Sequence, residues 1–368
     1  MTASLADLSG PGLHDVLPSV AAAAGAPDFV DVLGLPRAPR YVVVLVDGLG
    51  AQLLQEHARS APFLAGLAGV SGVRSGIPST TATSLTSLGT GLLPGAHGVV
   101  GYTSRNPENG RRLNSLGWSD DVDPLAWQPH PTVLERMAAA GLPAVVVNDA
   151  AFETSGLTRC SQRGVPFHGV RSVWERQDVL LELVEETERV VVYGYESRLD
   201  HAGHRYGCTS PQWRDVLETI DAELAELRAE LPSDTVLVVT ADHGMIDLPR
   251  EGRFDLDAEV GLRDDLTLVA GEARFRHLYT RAGAADDVAA RWSEHLGERA
   301  IVRTQAGIED WFGQIDDRVR PRIGDVVVAA LGDFAVFSSA DFAVEFHMAG
   351  FHGSISEAER AVPLLVAT

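Results

Sequence analysis

Unbroken runs of apolar residues, each closed by a polar one, give the first structural signal in this chain. The earliest is Arg40-Tyr-Val-Val-Val-Leu-Val46, which stops at Asp47-Gly48. Others are Leu142–Val147, Arg189–Tyr195, Thr235–Thr240 and Val362–Ala367. Near-continuous Val and Leu marks strands covered on both faces, whereas half-buried strands alternate. Helices are predicted between the runs, near residues 132–140, 171–187 and 211–230. This succession implies an α/β fold, a mainly parallel central sheet sandwiched by helices. Residues 1–39, rich in Ala, Gly and Pro, read as an N-terminal extension with a short helix. The core is expected over 40–245 and again over 326–368. Between them, over 246–325, the pattern loosens into Arg and Asp clusters. That region reads as a small inserted subdomain or cap, with a strand at Phe275–Thr280 and a helix at Ala285–His295.

Composition narrows the class. A chain of 368 residues with 45% apolar and 22% charged residues can form one large α/β domain or a core with an insertion. No apolar run approaches the ~20 residues that span a bilayer, so no membrane association is expected. The start, MTASLADLSGPGLHDVLPS, lacks a basic stretch followed by an apolar one, so no secretory signal is expected. The 2 cysteines, Cys160 and Cys208, do not suggest a disulfide framework. Together these features lead us to expect a cytoplasmic protein. The net charge is -21, and all 30 basic residues are arginine. The missing lysine reads as a genomic bias. So large an acidic excess argues against a nucleic-acid polymer as partner, which needs a basic face. A small anionic substrate remains compatible, because bound cations invert the local field.

Candidate chemistry gathers where strands end. Val44-Leu-Val-Asp47-Gly48 is one such end, and Val192-Tyr-Gly-Tyr-Glu-Ser-Arg-Leu-Asp200 leads into His-Ala-Gly-His204. Val238-Val-Thr-Ala-Asp242-His243-Gly244 is the third. Open α/β sheets bind ligands beyond the carboxyl ends of their strands. Asp and His there are oxygen and nitrogen donors suited to zinc, or less specifically to manganese. His352, in Gly350-Phe-His352-Gly353, is a late candidate for the same set. Each piece also has a plain structural reading. Asp-Gly after a strand often makes a turn, and Asp200 with His204 could simply be solvated side chains at the surface. Asp242-His243 directly after a buried strand is harder to dismiss, since an unpaired polar group there is costly.

The candidate nucleophile lies in Gly76-Ile-Pro-Ser-Thr-Thr81-Ala-Thr-Ser-Leu, where a helix is predicted to begin. Near a helix start, backbone N–H groups and the positive dipole end favour a phosphate. A hydroxyl becomes a useful nucleophile once a base or metal lowers its pKa. Thr80 or Thr81 could instead simply cap the helix.

The ordered set Asp47, Thr81, Asp200 with His204, Asp242-His243 and His352 resembles the alkaline phosphatase superfamily. Within it the set is most similar to the nucleotide pyrophosphatase/phosphodiesterase (type I phosphodiesterase) group. The likeness covers roughly residues 40–250 and 345–368. It implies two divalent metal ions, zinc first and manganese as an option. Asp47, Asp242 and His243 would hold one, which also binds the Thr81 hydroxyl; Asp200, His204 and His352 would hold the other. Thr81 takes the nucleophile position by its distance from Thr90-Gly91, with Thr80 as a rival. The implied reaction is attack by Thr81 on phosphorus, a phospho-threonine intermediate, and its hydrolysis by water.

Two positions depart from the resemblance. Ala82 stands where the nucleotide-cleaving members carry a base-stacking aromatic, and Tyr102 where they carry a phosphate-binding asparagine. Tyr102 could donate a hydrogen bond to substrate or be packed; Tyr195 could stack a base or be core. His97 and His201 read as loop supports, Cys208 as a buried thiol, and Glu196 as an acceptor for a ligand histidine. The expected function is metal-dependent hydrolysis of a phosphodiester or pyrophosphate bond in a small soluble substrate. A phosphonatase resembling phosphonoacetate hydrolase, a phosphate monoesterase, and a degenerate ligand-binding member of the family are the alternatives.

Overall fold

Strand β1 (Arg40–Val46) runs through the middle of a seven-stranded sheet, with Tyr41 through Val46 all buried. The structure, a computed structural model, describes residue 8, residues 10–119 and residues 121–368. Residues 1–7 and 9 of the expected N-terminal extension lie outside the described residues. The other strands of the sheet are β2 (Ala68–Gly69), β3 (Ala144–Asp149), β4 (Phe167–Val170), β5 (Val190–Glu196), β6 (Thr235–Thr240) and β7 (Leu364–Ala367). Their spatial order is β2-β7-β6-β1-β5-β3-β4. Five neighbours, β6-β1-β5-β3-β4, are parallel throughout. Strand β7 is antiparallel to both β6 and β2, so the sheet is mixed at one edge. Apolar runs carry no sign of strand direction, and the short strands β2 and β4 have no apolar run at all. Their partly exposed residues hid them from the sequence reading.

Helices cover the sheet and repeat a simple logic. Helix α1 (Thr81–Thr90) begins two residues after Ser79, and α2 (Val173–Glu185) follows β4. Helix α3 (Arg198–Tyr206) leaves the end of β5, and α4 (Pro211–Glu230) returns the chain to β6. Ser210 caps α4 by accepting a hydrogen bond from the Trp213 N–H at 3.1 Å, with Pro211 just inside the start. Its buried residues Trp213, Leu217, Ile220, Leu224 and Leu227 recur every three or four positions and join the main core. The N-terminal helix Val16–Ala23 joins that core as well, through Val16, Leu17 and Val20.

A second sheet, antiparallel throughout, orders Leu266–Glu272, Phe275–Thr280, Val326–Ala330 and Ala300–Thr304. The helix Ala285–Leu296 packs Trp292 and Leu296 into this sheet's own core. Val326–Ala330 lies just past residue 325, so the boundary expected there falls inside a hydrogen-bonded sheet. The first strand of this sheet ends at Glu272, which it delivers to the rim of the main sheet. No helix among the described residues is long and apolar enough to cross a membrane.

Candidate metal centre

Asp47 follows β1, Asp242 and His243 follow β6, and Asp200 rides on α3 just beyond β5. All three adjacent parallel strands therefore deliver donors to one rim. Close approach there depends on two glycines. Gly48 has φ 78°, and a Cβ on it would lie 3.1 Å from the Asp200 Cα. A Cβ on Gly244 would meet the Ala358 carbonyl oxygen at 2.1 Å.

Two trios form, Asp47 with Asp242 and His243, and Asp200 with His204 and His352, each with donor atoms within 4.8 Å of one another. In the first, His243 Nε2 lies 3.4 Å from both Asp47 Oδ1 and Asp242 Oδ2. The other oxygen of each carboxylate is already engaged. Asp242 Oδ1 accepts from the N–H groups of Gly48 at 3.2 Å and His243 at 3.0 Å. Asp47 Oδ2 accepts from the Tyr195 hydroxyl. In the second trio, helix α3 places His204 one turn after Asp200, with Nε2 3.4 Å from Asp200 Oδ1. His352 Nε2 approaches the same oxygen at 3.8 Å. The trios adjoin: the rings of His243 and His352 stack at 3.6 Å between centroids, with planes 14° apart.

The donor set fits divalent cations. Asp47 Oδ1, Asp200 Oδ1 and Asp242 Oδ2 are buried with no hydrogen-bond partner among the described residues, one or two in each trio. Such orphans are expensive unless something positive compensates them. Burial pushes the carboxyls of Asp47 and Asp242 above the ordinary range, and for Asp47 the charges of Asp242 and Asp200 add to the shift. Burial likewise pushes His352 well below the usual imidazole range, aided by His243 and His204. All three ring Nδ1 atoms face backbone carbonyls: His204 that of Gly350 at 2.8 Å, His243 that of Gly244 at 3.1 Å, and His352 that of Ser79 at 3.0 Å. Donation from Nδ1–H fixes the tautomer and leaves each Nε2 lone pair aimed inward, as metal-binding imidazoles require.

Thr81 is the first residue of α1, and its Oγ1 lies 3.2 Å from His243 Nε2. Thr80, the residue before, points elsewhere and hydrogen-bonds Glu272. Neither caps the helix: Thr80 occupies the cap position without a side-chain bond. Beside Thr81 opens a cavity of about 220 Å³. Leu85, Leu116, Phe152 and Leu157 give it apolar walls, and Asp47, Thr81 and Asp200 line it as well.

A model of the type I phosphodiesterase / nucleotide pyrophosphatase family matches residues 41–355. The chain belongs to this family. It is 23% identical over 254 residues to human ectonucleotide pyrophosphatase/phosphodiesterase family member 5, covering 64% of this chain and 50% of the relative. An uncharacterized pyrophosphatase/phosphodiesterase of Schizosaccharomyces pombe is 23% identical over 187 residues, 46% of this chain and 36% of that protein. The chain thus spans half the length, or less, of these curated relatives. Among solved structures, an inactive threonine-to-alanine variant of murine ectonucleotide pyrophosphatase/phosphodiesterase 5, in complex with AMP, superposes with a TM-score of 0.68. It is 18% identical and covers 89% of this chain and 87% of its own. At that identity the likeness is one of fold.

Several expectations are revised within the family frame. Tyr102 is not among the walls of the cavity; its hydroxyl accepts from Asn114 Nδ2 at 2.9 Å. Tyr195 does line the cavity, but its hydroxyl is committed to Asp47. Among the described residues, Glu196 has no hydrogen bond or ion pair with His204, His243 or His352. It pairs with Arg176 and Arg198, the latter at 2.8 Å. Burial alone would raise its carboxyl, but the Arg198 hydrogen bonds and the Arg176 charge outweigh it and hold the group at about 2. His97 is buried and contacts Ser87 Oγ at 3.0 Å, a loop support, whereas His201 lines the cavity. Burial pushes the Cys208 thiol up, as for an inert core group. Sequence reasoning missed Glu272, whose Oε2 lies 3.7 Å from His352 Nδ1 and whose Oε1 is buried without a hydrogen-bond partner among the described residues. It also missed the cavity walls between Asn148 and Gln162, because loop residues carry no periodicity to read.

Proposed function

We propose that this chain is a metal-dependent phosphoric ester hydrolase that cleaves a phosphodiester or pyrophosphate bond of a small soluble substrate, with Thr81 as nucleophile. The observation that carries the reading is two adjoining histidine and carboxylate trios, the first with His243 Nε2 3.2 Å from the Thr81 hydroxyl, with three orphaned carboxylate oxygens among them. Asp47, Asp242 and His243 would hold one divalent ion and Asp200, His204 and His352 a second, zinc by the balance of oxygen and nitrogen donors. Bound there, such ions supply a lowered hydroxyl pKa and neutralisation of charge on the phosphoryl group.

The residues of the chain do the rest. Thr81 Oγ1 gives its proton to solvent and forms a bond to phosphorus as the bond to the leaving oxygen breaks; the leaving oxygen takes a proton from solvent, and the threonine then carries the phosphoryl group. Water hydrolyses that ester and returns the hydroxyl. The first-turn N–H groups of α1 have no intrahelical acceptors and lie where a phosphoryl oxygen can take them up. The apolar cavity beside Thr81 favours a diester over a monoester, because a monoester has no second substituent to fill it. The inactive threonine variant of the murine relative is consistent with a threonine nucleophile in this chain.

The test is a panel of p-nitrophenyl phosphate, bis-p-nitrophenyl phosphate, a p-nitrophenyl nucleotide ester and phosphonoacetate, offered to zinc-loaded protein. The diesters should be turned over fastest. Preference for p-nitrophenyl phosphate or phosphonoacetate would replace the reading with a monoesterase or a phosphonatase. No turnover on any of the four would leave a ligand-binding relative.

A further inference from the structure

We propose that the substrate carries a second anionic group, a carboxylate or a phosphate, on the substituent that fills the cavity beside Thr81, and that Arg171 receives it. This rests on the hydrolase reading above and deepens it. The reactive cavity adjoins a neighbour of about 170 Å³, and Asn148, Phe152, Tyr195 and Ser197 line both. Among the described residues no arginine lines the reactive cavity, so a second anion on the substrate finds no guanidinium there. The neighbouring cavity is different. Arg171, Arg176 and Arg198 line it, against the two carboxylates of Asp149 and Glu196. In a chain with 51 acidic and 30 basic residues, that balance is inverted.

Two of the three arginines are already engaged. Glu196 is shared by Arg176 and Arg198, and Arg198 also reaches Glu223. Arg171 is the exception. It is exposed at the rim, and among the described residues its guanidinium has no hydrogen bond or ion pair. The carboxylate nearest to it in sequence, Glu175, takes the Arg171 backbone N–H at 2.6 Å. Ser172, the cap of α2, also lines this cavity, so the positive end of a 13-residue helix adds field of the same sign. A planar guanidinium with free donors suits carboxylate and phosphate oxygens alike.

The experiment compares two p-nitrophenyl phosphodiesters that differ only in the second substituent, phenyl or carboxyphenyl, on zinc-loaded enzyme. We expect kcat/KM to favour the carboxyphenyl diester by about tenfold, through KM, as for one charge-assisted contact. The preference should vanish or reverse in Arg171→Glu and persist in Arg171→Lys. A wild-type enzyme without the preference, or a preference that survives Arg171→Glu, overturns the inference while leaving the hydrolase reading intact. Failure to cleave either diester overturns both.

Discussion

His204 Nε2 and His352 Nε2 lie 3.2 Å apart, while each ring turns its Nδ1 toward a backbone carbonyl. With each Nδ1 given to its carbonyl, the two Nε2 atoms face each other at hydrogen-bond distance, an arrangement that a shared cation would stabilise. Chelation should therefore destabilise the protein, and zinc should restore it. Binding to the native state alone at a thousandfold excess over Kd adds about 4 kcal/mol. Thermal unfolding with EDTA, then with added zinc, measures this; identical midpoints would remove the metal from the account.

Thr81 and Thr80 are neighbours with different duties. The Thr81 hydroxyl faces His243 and the cavity, while that of Thr80 is tied to Glu272. Thr81→Ala should lower kcat by about a thousandfold or more, as loss of a nucleophile does elsewhere, with metal content unchanged. Thr80→Ala should cost far less. Steady-state kinetics with elemental analysis of each variant decides, and a reversed order would move the nucleophile to Thr80.

Tyr195 lies opposite Leu45 in the β1–β5 register, so it shares a sheet face with Asp47 two residues on. That placement explains why its hydroxyl reaches the Asp47 carboxylate. Tyr195→Phe keeps the ring and removes the bond. Zinc affinity should fall by about 10–100-fold, the usual effect of losing a partner that orients a metal ligand. Competition with a chromophoric chelator reads this out. A rise in KM at unaltered zinc affinity would instead mark the ring as the important part.

Glu196 links pH to stability. Its carboxyl is held at about 2 in the fold against an ordinary 4.5. A depressed pKa contributes stability that is present above pH 4.5 and is lost as pH falls through about 2. That contribution is on the order of 3 kcal/mol. Glu196→Gln should show a deficit of that size at neutral pH, closing as the pH drops through this window. Urea unfolding of both metal-free proteins across pH separates it from the metal ligands; a deficit independent of pH would refute the linkage.

The sequence made some of this legible and hid the rest for physical reasons. Asp47 and Asp242 could be read because buried apolar runs point straight at them. Asp200 and His204 could be read because four residues make one helical turn. The second sheet's strand Phe275–Thr280 and helix Ala285–Leu296 matched their local patterns. Glu272 could not be read, since only the packing of that sheet brings it to His352. Nor could the Tyr195 hydroxyl bond, which joins residues 148 apart through strand register. Glu196 was misassigned because side chains alternate along a strand, and its own side chain leads to Arg176 and Arg198.

An anomalous-scattering map collected at the zinc absorption edge, on crystals of the zinc-loaded protein, tests the assignment of the two trios as zinc sites. Two peaks are predicted, one enclosed by Asp47, Asp242 and His243 beside Thr81, the other by Asp200, His204 and His352. A map with no peak within either trio, or with zinc bound only elsewhere, would contradict it.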